Sequence, residues 1–277
     1  MGNDYVQGEQ CYYHQTLPKS YDRVEIIPIG DIHYGSPTHS PHHLNKAWEY
    51  VLAEPYRRVI LVGDLIESIT RSSIGDIFTQ TQSVQKQRDW IINYFKKDKD
   101  RILGAVTGNH EARVYNETSI DVTKDIAKAL ECPYRPEGML LKISFGTDTS
   151  HGGKGQHHPF TYFIYFTHGY GGARTLGGKV AKAERMAGWI HADVYLQGHD
   201  HTSVVAPVIY LMPDNRTRFD EESGFQVGAM RAERKLLIKT NAFLKWAGYS
   251  EMKGFSPTDL ERIVITLDKS GRAKATL

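Results

Sequence analysis

Aspartate, asparagine and histidine recur directly after apolar segments of this sequence. The apolar run at residues 101–106 breaks into Gly108-Asn109-His110-Glu111, and four other apolar runs end in the same kind of side chain. Carboxylate, amide and imidazole groups without a thiolate suit Mn, Fe, Zn or similar divalent ions, and seven ligands are too many for one tetrahedral site. The seven candidate ligands are Asp31, His33, Asp64, Asn109, His168, His199 and His201.

A site of this composition suits two metal ions. Two cations about 3.5 to 4 Å apart can clamp a phosphoryl oxygen and lower the pKa of a bridging water toward neutrality. The set therefore predicts hydrolysis of a phosphate ester.

The elements that must position these residues can be predicted from apolar patterning. Apolar runs that end in glycine or a polar residue are typical of buried strands, and chemistry in α/β proteins lies beyond strand ends. The runs are residues 24–30, 58–63, 101–106, 160–167 and 194–198, and residues 108–111 are predicted to form the loop after the third. Helices are predicted at residues 41–53, with Ser40 as N-cap, and at 78–97, 119–130 and 179–190.

The second half of the chain is richer in short strands. They are predicted at residues 140–145, 204–209, 235–239 and 262–266, with a hairpin turn at 268–271. The glycine- and histidine-rich segment 146–159 is interpreted as a solvated loop. Alternation of strands and helices in the first half predicts a sheet covered by helices.

Length and composition favour one well-packed domain. The chain has 277 residues, 40% hydrophobic residues and a formal net charge of +2, so overall charge does not commit it to nucleic acid, although a local basic groove stays possible. Two distant cysteines and the lack of an apolar leader or of a long apolar stretch predict a soluble, cytoplasmic protein with no membrane segment. Residues 1–23 are predicted as an N-terminal arm and 24–277 as a single domain.

The motifs together resemble those of the calcineurin-like metallophosphoesterase superfamily. The matching blocks are Asp31-x-His33, Gly63-Asp64, Gly108-Asn109-His110-Glu111, His168 and Gly198-His199-x-His201. They extend from residue 30 to residue 201, most of the chain. The resemblance implies an α/β fold, a four-layer α-β-β-α sandwich of two mixed sheets flanked by helices, with a dinuclear site at one end of the sheets.

Carried over position by position, the resemblance implies a role for each ligand. Asp31, His33 and His201 would hold one metal, Asn109, His168 and His199 the second, and Asp64 would bridge them. Manganese is the first expectation, with Fe, Zn, Ni or Co as alternatives. A metal-bridging hydroxide would attack the phosphorus. His110 would contact the substrate without binding metal, and Glu111 would orient His110 and raise its basicity.

The type of ester bond is predicted by comparing two motifs of this chain with those of branches of the superfamily. Residues 65–68 (Leu-Ile-Glu-Ser) lack the Asp-Arg-Gly that brings a phosphate-clamping arginine in protein Ser/Thr phosphatases. The Gly198-His199-x-His201 ending resembles the branch with phosphodiesterases and DNA-repair nucleases. A nuclease-like phosphodiesterase acting on DNA or nucleotide esters, such as an exonuclease, is therefore preferred. A phosphomonoesterase and a metal-binding scaffold without turnover are the alternatives.

Candidate substrate contacts are basic and aromatic residues near the motifs. Arg113, Arg174 and Lys179 could bind phosphate, and Tyr34 and Tyr170 could stack a base. Each has an alternative as a solvated residue or part of the cleft wall. The oligomeric state is open, and the C-terminal strands could build a dimer or a substrate wall.

Overall fold

The structure, a computed structural model, describes residues 11–70, 73, 77–148, 158–252, 254 and 256–277. Its strands are β1 (Tyr12–Thr16), β2 (Arg23–Ile29), β3 (Arg57–Leu61), β4 (Ile102–Ala105), β5 (Met139–Asp148), β6 (His158–Thr167), β7 (Val194–Gln197), β8 (Val204–Asp220), β9 (Phe225–Lys239), β10 (Val264–Asp268) and β11 (Lys274–Thr276). Its α-helices are α1 (Pro41–Leu52), α2 (Val84–Lys96), α3 (Asn109–Thr118), α4 (Val122–Ala129), α5 (Leu176–Ala187) and the single turn α6 (Tyr249–Met252).

One sheet has five strands in the order β11-β10-β2-β3-β4. Strands β2, β3 and β4 are parallel, whereas β10 runs antiparallel to β2. The parallel strands are nearly continuous apolar runs because both faces of this sheet are covered. Their carboxyl ends consequently lie at one edge of the sheet.

The second sheet has six strands in the order β1-β5-β6-β7-β9-β8. Strands β6, β7 and β9 are parallel, β5 is antiparallel to β6, and β8 is antiparallel to β9. Both sheets are therefore mixed. Strand β8 lies at the edge of this sheet.

Three apolar cores separate four layers. The largest packs the two sheets face to face and includes Ile26, Leu141 and Phe166. A second core packs α1 to α4 on the five-stranded sheet, and a third packs α5 on the six-stranded sheet. The predicted four-layer sandwich of two mixed sheets flanked by helices is confirmed.

Several element boundaries differ from the sequence prediction. Residues 109–111 form the first turn of α3 and not a loop, and the predicted helix at 119–130 is limited to α4. Helix α2 begins only at Val84, where the Ser83 side chain accepts the Lys86 N–H. Segment 204–239 is one long hairpin, in which short strands were predicted.

The N-terminal part contains a strand that apolar patterning did not reveal. Strand β1 pairs in parallel with β5 at the sheet edge, and its side chains are at most half-buried, so the apolar signal is weak. Most of the histidine-rich loop, residues 149–157, lies outside the described residues. In the described part of the chain, no helix has the length and apolarity needed to span a membrane.

Candidate metal centre

The seven candidate ligands lie beyond the carboxyl ends of five strands, and the structure brings them together. Asp31 and His33 follow β2, Asp64 follows β3, and Asn109 follows β4. His168 follows β6, and His199 and His201 follow β7. Because the two sheets face each other, their loops meet at one end of the sandwich.

One group of side chains consists of Asp31, His33 and His201. The Nε2 atoms of His33 and His201 are 3.2 Å apart, and Asp31 Oδ1 lies 3.2 Å from His201 Nε2 and 3.8 Å from His33 Nε2. All three ligand atoms lie within 4.8 Å of one another. This spacing is suited to one cation among them.

A second group consists of Asp64, His168 and His199, whose ligand atoms also lie within 4.8 Å of one another. Asp64 Oδ2 is 3.1 Å from His168 Nε2 and 3.7 Å from His33 Nε2, so this carboxylate stands between the two groups. The amide of Asn109 lies 3.0 Å from His168 Nε2 and 2.7 Å from His199 Nδ1. These two groups correspond to the ligand sets that the motif resemblance implies, and a third group, His33, Asp64 and His110, also has its ligand atoms within 4.8 Å of one another.

Hydrogen bonds from the far side of two imidazole rings fix which nitrogen faces the centre. His168 Nδ1 donates to the Val62 carbonyl at 2.8 Å, and His33 Nδ1 donates to Glu67 Oε2 at 2.9 Å. In each ring, this leaves the Nε2 lone pair directed at the cluster. Metal-binding histidines characteristically donate their other N–H to a carbonyl or carboxylate in this way.

The backbone at the cluster is strained. Among the described residues, eight that are not glycine have a positive φ, and five of them are candidate ligands: Asp31, His33, Asp64, His199 and His201. This conformation costs on the order of 1–2 kcal/mol for a residue with a Cβ. Such strain is a feature of sites where side-chain direction matters more than local stability.

Two observations show that these residues fit cations. Asp31 Oδ1 is buried and has no hydrogen-bond partner. One heavy atom of the Asn109 amide faces three hydrogen-bond acceptors. They are Asp64 Oδ2 at 3.2 Å, His168 Nε2 at 3.0 Å and His199 Nδ1 at 2.7 Å. A cation at this position would satisfy the amide oxygen, both imidazoles and the carboxylates at once, without the protons that these groups otherwise need between them.

The cluster is electrostatically adapted to positive charge. Burial disfavours the ionised form of Asp64 and Asp31, but the adjacent imidazoles of His168 and His201 hold the pKa of these carboxyls below the ordinary value. Burial opposes protonation of His168, yet Asp64 raises its pKa to about 9. Protons therefore balance the carboxylates in the protein alone, and metal ions would displace them.

His110 lies beside the cluster on the first turn of α3. Its Nδ1 bonds to the Glu67 carbonyl at 2.5 Å, its backbone N–H donates to Asp64 Oδ1 at 2.8 Å, and its Nε2 is 3.8 Å from Asp64 Oδ2. Burial lowers the pKa of His110 to about 4, so the free imidazole is neutral at pH 7. His110 also lines a cavity over the cluster.

Glu111 does not have the contacts expected of a residue that orients His110. Its carboxylate accepts the backbone N–H groups of Asp64, Leu65 and Ile66 at 2.6 to 3.1 Å, and that of Gly108 at 3.0 Å. Burial, with the nearby Asp64 carboxylate, raises the pKa of Glu111 to about 7, while the N–H groups act in the opposite direction. Glu111 thus holds the Asp64 loop against α3, whereas the carboxylates beside the His110 ring are those of Asp64, at 3.8 Å, and Glu67, at 3.9 Å.

A cavity of about 690 Å³ opens over the cluster. One wall carries His33, Asp64, Asn109 and His110, with His199 and His201 beside them. Leu244, Lys245, Trp246 and Met252 also line it. The lining therefore combines the candidate ligands with apolar side chains.

The predicted substrate contacts are placed differently from one another. Arg113 and Lys179 line this cavity, but Lys179 Nζ already donates to the Asp200 carbonyl at 3.1 Å. Arg174 lines an adjoining pocket of about 270 Å³. Tyr34 stacks on Trp90, with ring centroids 3.9 Å apart, and does not line the cavity; Tyr170 is exposed. Arg113 is the cation nearest the ligands, 3.1 Å from the Asn109 amide.

Sequence reasoning missed two supporting residues. Glu67 lies three positions after Asp64, and that short spacing could have suggested a carboxylate beside a histidine ligand. Lys239 is buried; its Nζ donates to Gln197 Oε1 at 2.8 Å and to the Gly198 carbonyl at 2.9 Å, and it forms an ion pair with Asp200 Oδ2 at 2.6 Å. It lies in an apolar strand far along the chain, so no local pattern links it to the histidine loop.

No protein-family profile and no curated protein matches the chain. Among solved structures, it is similar to YfcE, a phosphoesterase of E. coli, at 14% identity and a TM-score of 0.41, with 89% of each chain covered. It is also similar to the calcineurin-like phosphoesterase YfkN of Bacillus subtilis (14% identity, TM-score 0.41, covering 92% of this chain and 88% of YfkN). A metallophosphoesterase of Sphaerobacter thermophilus gives 11% identity and a TM-score of 0.40, covering 91% of this chain and 87% of that one.

At this level of similarity these structures decide neither the metal nor the substrate, so the chemistry rests on the side-chain geometry.

Proposed function

We propose that this protein is a dinuclear-metal phosphoesterase that hydrolyses phosphodiesters. The observation that carries the proposal is the convergence of two carboxylates, one amide and four imidazoles at one end of the sandwich. The ligand atoms of Asp31, His33 and His201, and those of Asp64, His168 and His199, each lie within 4.8 Å of one another, and the Asn109 amide contacts His168 and His199. Asp31, His33 and His201 would hold one ion, Asn109, His168 and His199 the other, and Asp64 would bridge. When bound, two such ions polarise a phosphoryl group and activate water.

The remaining steps belong to residues of the chain. Arg113 lines the cavity next to Asn109 and offers a planar guanidinium to a phosphate oxygen. His110 has its Nδ1 proton directed to the Glu67 carbonyl, so a proton taken up on Nε2 points into the cavity. There it can be transferred to the leaving oxygen. A bound anion beside His110 would favour that protonated form.

The cavity favours a diester over a monoester. A diester carries one negative charge and a second organic group, whereas a monoester carries about two charges and needs a denser cationic clamp. Arg113, Lys179 and Lys245 are the lysine and arginine residues that line the described cavity, and Leu244, Trp246 and Met252 add apolar surface to its lining. Nucleotide esters or DNA ends fit this combination.

The test uses the purified full chain, stripped with chelator and reloaded with Mn²⁺. A chromogenic diester, a chromogenic monoester, and single- and double-stranded DNA are assayed beside the Asp64→Ala variant as a control. We expect diester and DNA cleavage that needs metal and is lost in the variant. Rapid cleavage of the monoester with inert diester and DNA would make the protein a phosphomonoesterase. Metal binding without hydrolysis of any substrate would leave only a scaffold.

A further inference from the structure

The hairpin β8–β9 extends beyond the body of the sandwich. At its root, Val205, Leu236 and Ile238 pack into the core between the two sheets. Farther out, residues 209–234, here called the hairpin arm, have large apolar side chains in contact with solvent. Ile209, Leu211, Phe219 and Met230 are each 58 to 64% exposed.

These side chains share one face of the arm. Pairing places Ile209 opposite Arg234, Leu211 opposite Ala232, and Pro213 opposite Met230. Because side chains alternate along a strand, these pairs lie on the face that carries Leu236 at the root. Beyond the register shift, Thr217 pairs with Gly228, which lies two residues before Met230 and therefore on the same face of β9. Phe219 lies two residues after Thr217, so its side chain is also on this face. The apolar strip consists of Ile209, Leu211, Pro213, Phe219, Met230 and Ala232.

The opposite face of the arm is more polar. Arg231 and Glu233 lie there and pair at 2.7 Å, next to Lys235, although Tyr210 and Met212 share this face. Among the ladder partners of the apolar strip, Arg234 at the root is charged. The strip therefore continues the sandwich core with no covering layer among the described residues, and uncovered apolar surfaces of this kind mark interaction sites.

The arm is built for face-to-face packing and not for strand addition. Strand β8 is a sheet edge, but Pro207 and Pro213 lack the N–H groups that a further strand would need. Both prolines lie on the same face of β8 as Ile209 and Leu211, with Pro207 before these two residues and Pro213 after them. A partner must therefore cover the apolar side chains themselves.

Charges at the two ends of the arm indicate what this partner is. Asp220, Glu221 and Glu222 make the tip acidic. The root is basic: Arg234 donates to the Ala273 carbonyl at 2.9 Å, which places it next to the exposed Arg272. Tip and root are about 11 residues apart, roughly 36 Å at about 3.3 Å per residue. Two arms lying antiparallel would bring each acidic tip over the basic root of the other.

We propose that two copies of this chain form a dimer by packing their apolar strips together, antiparallel, about a two-fold axis. A two-fold interface uses the same surface twice, and a strip with complementary charges at its ends is self-complementary in this orientation. Nucleic acid is a poorer occupant because the strip offers apolar groups and an acidic tip where a phosphate backbone needs cations. The proposal is independent of metal binding and of catalysis.

The test measures the mass of the full chain by light scattering after gel filtration, and by sedimentation equilibrium at micromolar concentrations. We expect twice the monomer mass of 31.4 kDa. Leu211→Glu and Met230→Glu should each raise the dimer dissociation constant by about tenfold or more. Met212→Glu is the matched control, since its side chain lies on the opposite face of the same strand and the dimer should persist.

A second pair of variants tests the orientation. Changing both Glu221 and Glu222 to lysine should weaken the dimer, and adding Arg234→Glu with Arg272→Glu should restore it. Circular dichroism and thermal melting establish that every variant is folded. A monomeric wild type, an assembly larger than a dimer, equal effects of Leu211→Glu and Met212→Glu, or a failure of charge reversal to weaken the dimer would each overturn the proposal.

Discussion

Five candidate ligands have a left-handed backbone conformation, which the surrounding structure must stabilise. Asp31, His33 and Asp64 are kept in this conformation by contacts between loops: the Asp31 N–H donates to the Gly63 carbonyl at 2.9 Å, and the His33 N–H to the Asp64 carbonyl at 3.0 Å. Each loop therefore supports the strain of the next. Removing one ligand should change metal binding more than it changes the fold.

The residues with local spacing were predictable, and those with distant partners were not. The ligand-type residues of Asp31-x-His33 and Gly198-His199-x-His201 lie within a few positions of one another, so these motifs can be recognised locally. The structure places the two motifs together. The roles of Glu111 and Tyr34 depend on the Asp64 loop and on Trp90, which are far away in the sequence. Sequence alone could not supply those contacts.

His110→Ala should separate catalysis from metal binding. Since His110 lines the cavity without belonging to the proposed ligand set, both metals should stay bound while turnover falls by about two orders of magnitude or more. Metal content by plasma mass spectrometry, measured beside diester turnover, decides this. His42→Ala, at an exposed position of α1, is the control; loss of metal from the His110 variant would make His110 a ligand.

Lys239→Met tests whether a buried lysine positions the histidine loop. Without its bonds to the Gly198 carbonyl and Asp200, His199 and His201 should be less well ordered, and metal affinity should fall by about 10- to 100-fold. Isothermal titration with Mn²⁺ measures this directly. Lys235→Met removes another buried lysine of the same strand, which pairs with Glu233 and Asp193 away from the cluster, and should leave the affinity unchanged. Equal affinity losses in the two variants would indicate a general loss of packing.

At the scale of elements, the loop after β3 and the start of α3 are fitted to each other. A Cβ on Gly108 would lie 2.1 Å from both the backbone nitrogen and Oδ1 of Asp64, and one on Gly63 would lie 2.5 Å from the Gly108 nitrogen. Glu111 closes the same junction with its four N–H contacts. This close approach lets the first turn of α3 present Asn109 and His110 beside Asp64.

Gly108→Ala should therefore disrupt the site through the backbone. The added methyl group must displace the Asp64 loop, so we expect a loss of about 2 kcal/mol or more in unfolding free energy and a clear loss of metal affinity. Urea unfolding and metal titration measure the two effects. Gly172→Ala is matched, because a Cβ there meets no atom within 4 Å. A Gly108 variant with the stability and metal affinity of wild type would refute the proposed junction.

Element prediction succeeded where a core imposes a pattern. The strands that precede the ligands are buried, so their apolar runs were readable to within a few residues. The outer part of the β8–β9 hairpin was missed because its side chains are exposed and its alternation lacks a buried face. Helix α3 was missed because its polar first turn, residues 109–111, follows Gly108 and resembles a loop.

At the scale of the whole molecule, the site joins the two sheets. Asp31, Asp64 and Asn109 extend from the five-stranded sheet, whereas His168 and His199 extend from the six-stranded one. Cations held by both groups would link the sheets at one end of the sandwich. Fold and site are thus coupled, although the large core between the sheets holds them together in any case.

Metal should accordingly raise the melting temperature. At a free concentration 100 times the dissociation constant, a ligand that binds only the folded state adds about 2.7 kcal/mol. For a chain of 277 residues, with an unfolding entropy of about 2.1 cal/mol/K per residue, that corresponds to about 5 °C. Differential scanning calorimetry of chelated and Mn²⁺-loaded protein measures the shift, and Asp64→Ala should abolish most of it. A shift of the same size in the variant would place the stabilising metal elsewhere.

The most direct measurement is anomalous diffraction from a crystal loaded with manganese. A dinuclear centre should give two strong peaks about 3.5–4 Å apart, one between Asp31, His33 and His201 and the other between Asn109, His168 and His199, with Asp64 in contact with both. A single peak at this position, peaks elsewhere, or no peak at a manganese concentration that saturates binding in solution would contradict the dinuclear centre.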